Sequence, residues 1–138
     1  MRAKSRTLLS RIQTRIARKR GAVFLTRDFA DLGGSDQVLR ALRTLVRQQR
    51  LVRLGYGVYG RVMLSKLTGA PMLDSPNGFL GAVRETLTKL SVDWEPSDAE
   101  KAYNSGLSTQ VPVNPVVKVN DRFCRKLRYG NRELVLER

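Results

Sequence analysis

Arg40, Arg43 and Arg47 stand three and four residues apart in a stretch whose apolar residues, Val38, Leu42, Leu45 and Val46, recur at helical intervals. At about 100° per residue, with Val38 at zero, Arg43, Arg47 and Arg40 fall at about 140°, 180° and 200°, and Asp36 at about 160°. Three guanidinium groups therefore share the face opposite the apolar stripe. A guanidinium presents a rigid fork of donors that fits guanine edges and phosphate oxygens, so such a face can read and hold a duplex. Residues near the start of a helix lying in the major groove reach base edges, which nominates Ser35, Gln37 and Arg40, with Thr44 further along; Gln37 suits adenine. Arg43 and Arg47 are assigned to phosphates, contacts that position a protein without reading sequence. Asp36 either accepts from cytosine or pairs with Arg40 one turn on, and the pair is the favoured reading.

No comparable constellation supports catalysis. The chain has no histidine, which removes a Ser-His-Asp arrangement and the usual zinc and haem ligand sets. Cys124 is the single cysteine, read as a small packing residue, and no intramolecular disulfide can form. Asp93, Glu95, Asp98 and Glu100 make one acidic cluster, but two of them fall in a helix first turn, where carboxylates stabilise the helix dipole. Trp94 beside them reads as an anchor. Gly55-Tyr-Gly57-Val-Tyr-Gly60 spells G-x-G-x-x-G, yet a dinucleotide site needs that string to open a helix whose N-terminus meets the pyrophosphate. Here Val58-Tyr59 continues as strand, with Tyr59 in the core. No metal and no cofactor is expected.

Positioning the arginine face requires flanking elements, and each has a local signal. Leu8, Leu9, Ile12 and Ile16 predict a helix from about Ser5, with Arg18, Lys19 and Arg20 in its last turn and Gly21 ending it. Ala22–Leu25 is a short strand. Thr26 is read as the cap of a stubby helix over 27–32, Gly33-Gly34 as a turn, and Ser35 as the cap of the arginine-bearing helix. Leu51–Leu54 and Val58–Arg61 predict two strands joined by Gly55-Tyr56-Gly57, whose glycines permit a tight hairpin. This order matches a winged helix-turn-helix, with Arg53 and Tyr56 on the wing as backbone contacts beside Arg18, Lys19 and Arg20.

Charge supports the same division. Of a formal +14 over 138 residues, the first 61 residues hold 15 Lys and Arg against Asp28, Asp31 and Asp36, an excess of 12. Such an excess speaks for a polyanionic partner rather than for a fold. The expected organisation is a DNA-binding domain over 1–64, a linker over 65–71, and a small domain over 72–138 in which helices at 78–90 and from a Ser97–Glu100 capping box precede strands at 116–119, 124–129 and 133–137. The fold class is α+β, a winged helix-turn-helix followed by a small helix-plus-antiparallel-sheet domain. The apolar runs are too short for a signal peptide or a membrane span, so a bacterial cytoplasmic, nucleoid-associated location is expected and no membrane partner.

The runs Val23–Gly33, Val38–Leu42 and Leu51–Tyr59, with Ser65-Lys66-Leu67-Thr68-Gly69 and Gly106-Leu107-Ser108-Thr109-Gln110-Val111-Pro112, resemble the AbiEi-type antitoxins of bacterial type IV toxin-antitoxin and abortive-infection systems. The resemblance implies an autorepressor that binds inverted repeats in its own promoter through the winged domain, with a C-terminal part that counteracts a nucleotidyltransferase-like toxin in antiviral defence. Members with that antitoxin part run on beyond the equivalent of Leu134-Val135-Leu136. A homodimer on palindromic DNA is a candidate arrangement, although no heptad marks it. Two other classes stay open: a protein-interaction module that neutralises the toxin with DNA binding secondary, and an RNA or single-strand binder, for which 7% aromatic residues is a thin supply.

Overall fold

The structure is a computed structural model and describes residues 7–104, 115–119, 123 and 125–137. It is mixed α and β with four helices among the described residues, and it divides into two compact units. The first runs to Arg53 and resumes over Gly57–Asp74; the second joins Leu54–Tyr56 to the residues from Ser75 onward.

In the first unit, helix α1 (Leu8–Arg18) is followed by strand β1 (Val23–Leu25), a 3₁₀ turn (Thr26–Phe29), helix α2 (Ser35–Arg47) and strands β2 (Leu51–Gly55), β3 (Val58–Leu64) and β4 (Pro71–Leu73). The sheet order is β1-β3-β2, with β4 also on β3. β1 meets the start of β3, Phe24 opposite Tyr59, and β4 meets its end, Met63 opposite Met72, both antiparallel. Ile12 and Ile16 from α1, Phe24, Phe29, Val38, Leu42 and Leu45 from α2, Leu51 and Tyr59 form one core. The i, i+4 spacing of Ile12 and Ile16 and the i, i+4, i+7 spacing of the α2 residues bring each stripe onto one face.

The element order follows the sequence signals, while several of the expected caps are made by other groups. The Thr7 hydroxyl accepts from Ser10 N at 3.1 Å and starts α1. α1 stops at Arg18: Lys19 is extended, so Arg18, Lys19 and Arg20 do not share a helical turn, and Gly21 keeps a negative φ. Its carbonyls are satisfied instead by a side chain from the sheet, because Arg61 donates to Ile16 O and Lys19 O, each at 3.0 Å, and pairs with Asp74 at 2.9 Å. Thr26 lies inside the 3₁₀ turn rather than capping it, and the Asp28 carboxylate accepts from Leu25 N at 2.8 Å. Gly34, not Ser35, is the N-cap of α2.

α2 ends in a Schellman arrangement, Arg50 N donating to Leu45 O at 2.9 Å, which puts Gln49 in the left-handed region at φ 60°. A side chain there costs about 1–2 kcal/mol that glycine avoids, partly offset by glycine's freer unfolded state. Gln49→Gly is therefore expected to stabilise the chain by about 0.5–1 kcal/mol, read as a higher midpoint in urea unfolding. An unchanged or lower midpoint would contradict this account.

Arg15 binds Asp31 in bidentate fashion, at 2.5 and 2.8 Å, and also donates to Asp28 O at 2.9 Å, tying α1 to the turn before α2. These hydrogen bonds lower the Asp31 carboxyl from 3.8 to about 2. As pH falls, the unfolded chain takes up that proton before the folded one does, so the contribution is whole above pH 4 and is lost on the way down to about 2. The melting temperature of wild type should exceed that of Asp31→Asn at pH 6, and the gap should close by pH 2.

Residues 65–71, expected as a linker, form the loop and first residue of the β3–β4 hairpin, so the first unit extends to Asp74. The signal was weak because β4 is only three residues long and begins with proline. The β2–β3 connection is a two-residue turn in which Gly57 alone takes a positive φ, 68°. Gly55 is needed for space, since a Cβ there would lie 2.6 Å from Lys126 O within the second unit.

The second unit contains helices α3 (Gly78–Lys89) and α4 (Asp98–Asn104) and strands β5 (Trp94–Pro96), β6 (Val116–Val119), β7 (Arg128–Tyr129), β8 (Arg132–Glu133) and β9 (Val135–Glu137). β5 and β6 are antiparallel but β6 and β9 are parallel, so this sheet is mixed rather than antiparallel as expected; β7 and β8 form a separate hairpin around Gly130. Strand β5 carries no alternation long enough to be seen in sequence. Phe79, Ala82, Val83 and Leu87 of α3 are buried, as are Val117, Val119 and Leu127. Ser97 caps α4 as predicted, accepting from Glu100 N at 3.1 Å, while the Glu100 carboxylate binds Arg84. Asn120-Asp121, Cys124 and the Gly106–Pro112 string lie outside the described residues.

Candidate nucleic-acid interface

α2 divides as its periodicity requires. Val38, Leu42 and Leu45 are buried, whereas Ser35, Asp36, Gln37, Arg40, Arg43 and Arg47 are exposed, so the structure brings the three arginines together on the solvent face. No ion pair joins Asp36 to Arg40 among the described residues, and the expected pairing is not made. In an exposed helix such a pair is worth only a few tenths of a kcal/mol, too little to hold two mobile side chains.

Thr44 is engaged within its own helix. It is half-buried, its hydroxyl donates to Arg40 O at 3.1 Å, and it accepts from Arg47 Nη2 at 3.2 Å. With both directions engaged, it holds Arg47 in the structure. Arg18, Lys19 and Arg20 are all exposed at and beyond the end of α1, and Arg53 is exposed on β2. Tyr56 is 81% exposed at the hairpin turn and groups with the second unit.

The acids of the first unit sharpen its charge. Asp28 caps the 3₁₀ turn, Asp31 binds Arg15 and Asp74 binds Arg61. These contacts occupy three of the four carboxylates with internal partners, and they give Arg15 and Arg61 a structural role. Nothing in the sequence separates those two from the exposed arginines, because what distinguishes them is a partner 13 or more residues away. Arg11, Arg27 and Arg50 are further exposed cations that motif reasoning passed over, since none lies on the α2 face.

The G-x-G-x-x-G string runs through the β2–β3 hairpin and opens no helix. In the acidic cluster, Glu95 is 3.1 Å from Lys101 and 3.9 Å from Lys118, and Asp98 is 3.6 Å from Lys118. A hydrogen bond with Glu137, together with the Lys118 ammonium, holds the Asp98 carboxyl below its usual range. Arg84, bound to Glu100, also lies 5.0 Å over the Trp94 ring, whose indole N–H donates to Thr88 Oγ1 at 3.1 Å. Among the described residues no group of three His, Cys, Asp or Glu could hold a metal ion, and no helix is long and apolar enough to cross a membrane.

No curated protein and no solved structure matches the chain. A family model described as a family of unknown function, DUF6088, matches residues 11–138.

Proposed function

Given that the chain belongs to DUF6088, a family without a described function, we propose from its own surface chemistry that it is a non-enzymatic, sequence-specific double-stranded DNA-binding regulator. The observation that carries this reading is the α2 surface: Arg40, Arg43 and Arg47 exposed together, opposite a face packed by Val38, Leu42 and Leu45. The 3₁₀ turn, the Gly33-Gly34 bend, α2 and the β2–β3 hairpin are then a winged helix-turn-helix, with α2 as the recognition helix in the major groove. Ser35, Gln37 and Arg40 read bases; Arg43, Arg47, Arg53 and the Arg18-Lys19-Arg20 segment hold phosphates. Thr44 serves by orienting Arg47. The resemblance to AbiEi-type antitoxins supports a role as autorepressor of its own operon, with a nucleotidyltransferase-like toxin as partner.

About five neutralised phosphates give a slope of log affinity against log salt of about −4 to −5. Fluorescence anisotropy with a duplex from upstream of its own reading frame measures this. A slope shallower than about −2, or equal affinity for that duplex and a scrambled one, would remove the mechanism.

A further inference from the structure

The first unit carries a second surface of opposite character. Beyond Val62, whose N–H donates to Arg50 O at 3.1 Å just ahead of β2, β3 continues as Met63 and Leu64 and folds back through residues 65–70 into β4. β2 begins at Leu51, so among the described residues this part of β3 pairs only with β4 and forms a two-stranded arm. Its exposed apolar residues are Leu67 at 97%, Leu64 at 63%, Met72 at 42% and Met63 at 37%.

The tip is held in one conformation. Ser65 Oγ accepts from Leu67 N and Thr68 N at 3.2 and 3.3 Å, Ser65 N donates to Ala70 O and Gly69 N to Ser65 O at 2.8 Å each, and Gly69 takes φ 73°. A loop whose own hydrogen bonds project a leucine into water is preorganised for burial against something else, because the ordering entropy is already lost in the free chain. An exposed apolar cluster on an ordered element marks an association surface.

Charge identifies the occupant. α1, the 3₁₀ turn, α2 and β2 each expose arginine, whereas residues 62–73 carry one charge, Lys66. A polyanion would be drawn to the arginines and would gain little from the arm. Two copies of a chain with net charge +14 repel one another wherever cations meet, and the arm is the part of this unit where they can approach without that cost. Among the described residues β4 pairs with β3 alone, and two identical edges related by a twofold axis pair antiparallel and are self-complementary.

We infer that the β3–β4 arm is a homodimer interface, in which Leu64, Leu67 and Met72 of one copy pack against the same residues of a second copy. This goes beyond the DNA-binding reading and does not rest on it. Sedimentation equilibrium of the full chain without DNA tests it at about 0.3 M salt, where exposed charges are largely screened.

A dimer is expected, and Leu64→Asp/Leu67→Asp should raise its dissociation constant at least a hundredfold with the circular dichroism spectrum unchanged, since both side chains are exposed; the melting midpoint should fall only by the share that dimerisation contributes. Met72→Lys provides an independent variant in the same direction. A wild type that stays monomeric to several hundred micromolar overturns the inference. So does a dimer indifferent to these substitutions, which would use another face. Were the wild type monomeric and the double aspartate variant weaker only in duplex binding, the arm would belong to DNA.

Discussion

Replacing Arg40, Arg43 and Arg47 together by alanine is expected to weaken duplex binding about 10²–10³-fold near 0.15 M salt, with no loss of folding. Each phosphate contact contributes about 0.9 to the salt slope, which is about a fivefold gain in affinity between 1 M and 0.15 M salt. Arg43 and Arg47 then account for about 25-fold, and a bidentate guanine contact from Arg40 adds about 1–3 kcal/mol. The slope should flatten by about two units in the same titrations. All three side chains are exposed, so unfolding cannot produce the result, and circular dichroism should match wild type. The single variants separate the roles: Arg40→Ala should relax preference at one base pair, and Arg47→Ala should weaken matched and scrambled duplexes alike. If the triple variant binds within threefold of wild type, α2 is not the reading element.

The second large effect lies on the other face of the same helix. Leu42 is 0% exposed, between Val38 and Leu45 in the core formed with Ile12, Ile16, Phe24 and Phe29. Leu42→Ala should cost about 2–5 kcal/mol, the lost transfer free energy plus a cavity that close-packed neighbours fill only in part. For a unit of this size each kcal/mol moves the midpoint by about 4–8 °C, so thermal unfolding should fall by roughly 10–30 °C. Duplex affinity below the new midpoint should stay near wild type, because no guanidinium is removed. A cost under about 1 kcal/mol would mean that α2 does not pack through Leu42.

The two experiments form a contrast across one helix: one face governs affinity with stability intact, and the other governs stability with affinity intact. That separation is what an amphipathic recognition helix requires. It distinguishes a reading surface from a solvated basic face, which would alter neither quantity by much.

Periodicity alone was enough to orient α2, since 3.6 residues per turn and a clear apolar stripe leave no freedom in which way Arg40, Arg43 and Arg47 point. The same local logic gave α1, β1, the Gly57 turn and the Ser97 cap, each decided by residues within a few positions of one another. Three-dimensional packing decided the rest. Arg61 reaching Ile16 O and Lys19 O, Arg15 clasping Asp31, β4 returning to β3 and the parallel pairing of β6 with β9 all join groups distant in sequence or too short to leave a pattern. Exposed and structural arginines are chemically identical along the chain. Only a carbonyl or carboxylate brought to them by folding tells them apart, and that is a property of the tertiary contacts rather than of local sequence.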